Sequence, residues 1–330
     1  MKLTTPVPAN KANFNISHAN KIALMGSCFA ENIGAKLLHL KYDALINPFG
    51  IIYNPVSIAN LLERIIFLKK FSLDDVFKHD ELYFSFEHHS LLSSISPTEH
   101  LIKINKLLNE AHQFLKTSEV LIITFGTAFI YKYIATKQVV ANCHKLPNTE
   151  FEKERLSIKN IFNTFNKCLL QLFQFNKKIK VIFTVSPVRH VKDGVVNNTK
   201  SKAILHLAID QLINAHTEKC SYFAAYEIMM DELRDYRFYK DDFLHPTALA
   251  VNYIWQHFEN SYFNEKSIIF NKQIKAMLQQ FNHKPFNANT QSHKTSIEKL
   301  IDKMQQFQTE HNIFFLKEIE QLNNNLNFAE

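Results

Sequence analysis

The sequence predicts a three-layer α/β/α domain with a mainly parallel, flavodoxin-like sheet, followed by a helical carboxyl-terminal extension. Three observations lead there. Apolar runs at Lys21–Met25, Val120–Phe125 and Lys180–Val185 have the length and continuity of strands buried on both faces. Segments with helical apolar spacing separate them, and such alternation calls for helices on both faces of a parallel sheet. The strand pattern ends near Asn264, beyond which apolar residues recur only at three- and four-residue steps. Residues 1–264 are therefore assigned to the α/β domain and 265–330 to the extension.

Taken in order, Lys21–Met25 is the first strand, and Glu31–Leu40 is a helix with Ile33, Leu37, Leu38 and Leu40 apolar. A second strand, Tyr42–Ile46, ends at the breaker-rich Asn47-Pro48-Phe49-Gly50, and Pro55 opens a helix from about Val56 to Leu68. Residues 71–96 interrupt the rhythm; Leu82–Ser90 alternates partly and reads as extended structure near the sheet's carboxyl edge. His88 and His89 fall there, as site residues or as decoration of an inserted loop. A helix over Thr98–Lys116 leads into the strand Val120–Phe125, which stops at Gly126. Phe129–Val140 reads as a hairpin turning at Ala135-Thr136-Lys137-Gln138. Helix Ser157–Phe175, strand Lys180–Val185, helix Ser201–Cys220, strand Ser221–Tyr226 and helix Thr247–Phe263 complete the domain. In the tail, Phe281–Ser296 is a polar linker, and Ile297, Leu300, Ile301, Met304, Phe307, Phe314, Phe315, Ile319 and Leu322 mark one long amphipathic helix. Because every sheet-forming segment precedes residue 281, this tail is expected to be dispensable for the core. Its apolar stripe is open to packing on the domain or on a second copy, and its mixed charges argue against a membrane surface.

With 330 residues, 46% hydrophobic and 21% charged, the chain buries one sizeable core. The formal charge of +7 comes from scattered lysines without a dense basic block, so a nucleic-acid partner is not expected. Residues 1–20 lack the charged start and apolar core of an export signal, and no run approaches the roughly 18 apolar residues of a membrane span. A cytoplasmic protein with reduced thiols is expected, since Cys28, Cys143, Cys168 and Cys220 are widely spaced and form no Cys-x-x-Cys pair. Cys143, His144 and the histidines at 88 and 89 show no recognised ligand spacing, so neither a metal nor another cofactor is expected.

The chemistry centres on Ala23-Leu24-Met25-Gly26-Ser27-Cys28-Phe29-Ala30, a strand that breaks at glycine, presents a serine and continues as a helix. Orphan N–H groups and the positive dipole end converge there and favour developing negative charge. The plainer reading makes Ser27 an N-cap without chemistry. Near the end of the domain, Asp242 and His245 form Asp-x-x-His, with Pro246 opening the next helix. A histidine takes the proton of a serine nucleophile, and a carboxylate holds that imidazole in the right tautomer. The plainer reading is a capped turn and a surface histidine. In a parallel sheet both segments emerge at the same carboxyl edge, where Arg189 and His190 also lie; Arg189 either clamps a substrate anion or holds neighbouring loops. Cys28, at the start of the helix, is expected to turn inward as a small apolar residue.

Gly26-Ser27-Cys28-Phe29-Ala30 is the signature string of the GSCFA family, and the chain resembles that family over most of residues 20–262. Thr124–Ala128, Asn142–Pro147, Thr184–His190 and Asp231–Tyr239 resemble its other blocks in the same order. GSCFA proteins in turn resemble SGNH (GDSL-type) hydrolases, whose serine follows the first strand and whose Asp-x-x-His lies late in the domain. The resemblance implies a serine esterase or acyltransferase with Ser27, Asp242 and His245 as its catalytic residues, acting on a small-molecule or carbohydrate acyl ester. It implies oxyanion donors at the Ser27 and Gly50 N–H groups and substrate contacts at Thr127, His144 and Arg189. The Gly-x-Asn block of the wider group corresponds to Gly126-Thr127-Ala128, so alanine replaces an amide donor; Asn142 is the expected substitute. The alternative is a ligand-binding or scaffold protein that keeps the fold and holds a ligand through Arg189, Asn142 and His144.

Overall fold

The computed structural model describes residues 4–9, 11–283, 285–286 and 290–327. The chain runs β1 (Lys21–Gly26), α1 (Cys28–His39), β2 (Asp43–Ile46) and α2 (Pro55–Ile66), then a small hairpin of β3 (Phe77–His79) and β4 (Leu82–Phe84). Next come α3 (Pro97–Thr117) and β5 (Val120–Phe125), followed by β6 (Phe129–Tyr133), β7 (Val139–Val140) and β8 (Phe151–Arg155). The alternation resumes with α4 (Ile158–Phe175), β9 (Lys180–Val185), α5 (Val195–Ala215) and β10 (Cys220–Phe223). A single turn, α6 (Ala225–Glu227), runs on as a π-helix over Ile228–Glu232 before α7 (Ala248–Tyr262), α8 (Glu265–Phe281), α9 (Gln291–His311) and α10 (Leu316–Asn327).

The central sheet has the order β10-β9-β5-β1-β2 with every pair parallel. Numbering only its five strands in chain order, this is 2-1-3-4-5, the doubly wound flavodoxin order whose switch point lies between the first and third strands. Side chains alternate across it. Ala23, Met25, Leu121, Ile123, Val181 and Phe183 pack into a core with α2, α3, α4 and α5. Ile22, Leu24, Val120, Ile122 and Ile182 face the opposite way, toward α1, α7 and the carboxyl-terminal helices. The period of two thus produces three layers. Helix ends follow the sequence chemistry: Asn54 accepts from Ser57 N–H at 2.8 Å ahead of Pro55, and Asn264 accepts from Ser267 N–H at 2.8 Å.

Four expectations change. β8, absent from the sequence reading, pairs antiparallel with β6 and makes the expected hairpin a three-stranded sheet; its charged Glu-Lys-Glu-Arg hides an edge strand of which only Phe151 is buried. Helix α5 starts at Val195, after Gly194 at φ +83, and ends at Ala215, while Cys220 already belongs to β10. The single long tail helix is two helices, because Asn312 takes the left-handed conformation (φ +55) and ends α9. The expected linker narrows to the stretch between Phe281 and Gln291, in which Lys284 and residues 287–289 lie outside the described residues.

The tail is also no appendage. Ile297, Leu300, Met304, Phe307, Phe315 and Leu322 share one continuous core with Ile22, Leu24, Phe29 and Trp255. Lys41 pairs with Glu318 at 2.6 Å and stands 5.4 Å from the centre of the Phe315 ring. Tyr42 OH bonds Asn271, which bonds Glu259. Large apolar side chains contribute about 1.5–3 kcal/mol each when buried, so the tail's share is comparable to the ~5–15 kcal/mol stability of a whole domain.

Two outcomes follow from this packing. Phe315→Ala is expected to lower stability by about 3–5 kcal/mol, read as a lower urea midpoint at unchanged slope, and the chain ending at residue 281 to lose its cooperative melt; a change under about 1 kcal/mol in Phe315→Ala would place the tail outside the core. The second concerns acid. Burial pushes His18 and His144 down to about 4, and fully buried His88 well below its ordinary value. Between about pH 6.5 and 4 the unfolded chain binds the more protons. Stability is therefore complete above pH 6.5 and falls as pH drops to 4, which urea titrations across that range measure.

Candidate active site

The site begins where β1 ends. Gly26 has φ +138, and a Cβ there would lie 2.2 Å from the Thr124 carbonyl oxygen of β5, so only glycine allows the two strand ends to close up. Asn47 Oδ1 accepts from Gly26 N–H at 2.9 Å, and Gly26 C=O accepts from Ile52 N–H at 3.0 Å. Ser27 follows at the switch point between β1 and β5, where doubly wound sheets place ligands. It is completely buried. Its N–H donates to Thr124 C=O at 3.1 Å, and its Oγ accepts from Phe29 N–H at 3.3 Å, capping α1.

Asp242 and His245 are joined directly. Asp242 Oδ1 accepts from the N–H groups of Leu244 and His245 at 2.8 and 2.9 Å, and Oδ2 lies 2.6 Å from His245 Nδ1. The two backbone donors first, and the imidazole next, hold the Asp242 carboxyl far below the usual carboxylate range. A carboxylate on Nδ1 places the ring proton there and leaves Nε2 as an acceptor. The loop is pinned by Lys240 N–H to His245 C=O and by Thr247 N–H to Phe238 C=O, both 2.8 Å. Arg189, from the loop after β9, donates through Nη2 to Phe243 C=O at 2.8 Å and lies 5.2 Å above the Tyr239 ring. Arg189 thus holds two neighbouring loops together, with a carbonyl oxygen as its partner.

Between these two parts stands His190. Its half-buried ring sits 5.1 Å from Tyr53, and Nε2 is 3.2 Å from where a Gly126 Cβ would be. Burial, then the charge of Lys202, holds it near 4, with His245 adding to the push. His245 and the Ser27 edge therefore share one electrostatic neighbourhood, although no hydrogen bond joins Ser27 to His245 in this arrangement.

Several expected contacts go elsewhere. Gly50 N–H donates to Asn47 C=O at 2.7 Å, and Gly50 takes φ +81 with its missing Cβ only 2.3 Å from His89 Cβ, so neither it nor Ser27 N–H is a free oxyanion donor here. Asn142 Oδ1 accepts from His144 N–H at 2.8 Å, which makes it a turn former beside the small sheet. His144 is buried, with Nδ1 3.0 Å from Ser90 Oγ and Nε2 2.8 Å from Ser85 C=O, among Phe77, Phe84 and Phe86; it ties two loops together and has no ring nitrogen left for a substrate. Thr127 Oγ1 accepts from Phe129 N–H at 3.1 Å and lies 3.2 Å from Ser201 Oγ. Cys28 is half-buried, and burial followed by the Glu31 charge raises its thiol, so it is no thiolate nucleophile. Among the described residues no group of three His, Cys, Asp or Glu could hold a metal ion.

Lys202, Ser201 and Tyr53 were not legible as site residues. Lys202 and Ser201 reach the Gly126-Thr127-Ala128 turn from α5. The signal lay within the expected helix Ser201–Cys220, where Ser201 and Lys202 share with Leu205, Ala208, Ile209 and Leu212 the face that α5 buries.

No curated protein matches the chain. The model of the GSCFA family matches residues 21–258, and that of the GSCFA domain protein, C-terminal domain, matches residues 274–328. The first match takes in all five strands of the sheet, Ser27, and the Asp242–His245 pair. This chain belongs to the GSCFA family.

Proposed function

We propose that the protein is a serine esterase or acyltransferase of SGNH type, working on an acyl ester through an acyl-Ser27 intermediate. The observation that carries this reading is the 2.6 Å Asp242–His245 pair, set on the same sheet edge as a serine at the switch point. His245 Nε2 takes the Ser27 proton as Oγ attacks the ester carbonyl carbon. The tetrahedral oxyanion collapses, and His245 returns the proton to the departing alkoxide. Water, or an acceptor hydroxyl in a transferase, then gives its proton to His245 and attacks the acyl carbon, and His245 passes that proton to the departing Ser27 Oγ. Ser27 must first leave its cap on Phe29 N–H and turn toward the loop that carries His245. Among the described residues no helix is long and apolar enough to cross a membrane, and the proposed substrates are small-molecule or carbohydrate esters in the cytoplasm.

A second reading rests on the complete burial of Ser27: the hydroxyl is a cap alone, and the protein is a non-catalytic ligand-binding or scaffold member of its family. Kinetics on short-chain acyl esters and acetylated sugars separate the two. Ser27→Ala and His245→Ala are each expected to cut turnover by ~10⁴ or more, with the double variant scarcely worse, since residues acting as one unit are non-additive. Asp242→Asn leaves a small residual rate. Stability changes by only about 1 kcal/mol in Ser27→Ala, the cost of a lost cap. Turnover in Ser27→Ala equal to the natural protein's, or none in the natural protein, favours the second reading.

A further inference from the structure

Behind Gly126 lies a lysine that the proposed reaction does not use. Lys202 is fully buried on α5, among the largest enclosed side chains of the molecule. Its Nζ donates to Gly126 C=O at 2.7 Å and to Ser186 C=O at 2.8 Å, the residues that directly follow β5 and β9. Beside it, Ser201 Oγ accepts from Ala128 N–H at 2.7 Å. The two α5 side chains thus grip Gly126-Thr127-Ala128, the turn where alanine stands in place of an amide. An ammonium carries three N–H donors, and among the described residues the third has no acceptor. No carboxylate pairs with Lys202 among the described residues. The groups facing it are Cys28 of α1, His190 of the loop after β9 and Tyr226, whose ring centre is 5.7 Å from Nζ, while His206 one turn along α5 bonds the Lys202 backbone carbonyl at 2.7 Å. An unpaired buried ammonium is costly, and an apolar side chain of similar length would fill the same space.

We propose that Lys202 is a positioning residue of the Ser27 site: its ammonium holds the ends of β5 and β9 in register and supplies positive potential to an anion forming at Ser27. This rests on the acyl-serine reading. It accounts for a site that works without the asparagine amide and with both nominal oxyanion N–H groups already engaged. Fixed charge in a water-poor site is the strongest form of such stabilisation. Burial pulls Lys202 down to about 7, so its charge predominates below neutrality and is lost as pH rises through 7.

The test uses the full chain and a fluorophosphonate, followed as the rate of adduct formation from pH 6 to 10. Lys202→Gln keeps an amide donor but no charge. It is expected to react about 100-fold more slowly than the natural protein at pH 6.5, with the gap closing to a few-fold near pH 9, where the lysine is neutral. A gap independent of pH, or no gap, overturns the proposal. A second measurement needs neither Lys202 substitution nor reaction. In Ser27→Ala labelled with ¹³Cε-lysine, one resonance is expected to titrate near pH 7, and saturating inorganic phosphate to raise that midpoint by about one unit. If no lysine titrates near neutrality, or phosphate leaves the midpoint in place, Lys202 serves packing alone. If the natural protein forms no adduct, the esterase reading fails, and the phosphate-dependent shift by itself decides whether Lys202 favours an anion at this edge.

Discussion

The contact on which the rest depends is the approach of Gly26 to the Thr124 carbonyl. Two parallel strands diverge at a switch point, and the chain leaving β1 must turn at once into α1. A side chain at position 26 would enter the backbone of β5 at 2.2 Å, and the left-handed φ would strain it further. With glycine there, Ser27 is delivered to the amino end of α1 and the carboxyl end of β1 together. Asn47 and Ile52 close the turn from the β2 side, Thr124 from the β5 side.

Around that point the sheet edge is held by polar side chains that reach from one loop to the next. Lys202 spans the ends of β5 and β9, Arg189 spans the loop after β9 and the loop of Asp242 and His245, and Asn198 Oδ1 accepts from His190 N–H at 2.9 Å. Every one of these bonds ends on a backbone group. The edge is thereby preorganised without any substrate-specific contact, an economy expected of a scaffold whose chemistry resides in a few groups. On the far face the tail helices complete the core, so the two matched family regions share one apolar core in this chain.

The parallel sheet was legible because Val120–Phe125 and Lys180–Val185 are continuous apolar strands, and the Ser27 turn because glycine and serine punctuate β1. The Asp242–His245 pair was legible because its contact is local, three residues apart. What escaped detection depends on tertiary pairing. β8 is a charged edge strand whose periodicity is hidden by Glu152, Lys153 and Glu154. Lys202 looks like an ordinary surface lysine, and only the packing of the α5 face it shares with Leu205, Ala208, Ile209 and Leu212 buries it. Asn142 and His144 lie in a block resembling the family's, and the resemblance implied Gly50 as an oxyanion donor, but hydrogen bonds to the turn, to Ser85 and Ser90, and to Asn47 engage them in loop structure.

The central claim is that a proton acceptor activates Ser27. Mass-spectrometric mapping of the peptide modified by a fluorophosphonate tests it most directly. The account predicts a single stoichiometric adduct on the peptide carrying Gly26-Ser27-Cys28, located at Ser27 and abolished by His245→Ala. An adduct on Cys28 or on any other residue, or an unmodified protein under conditions that modify a known serine esterase, would contradict it.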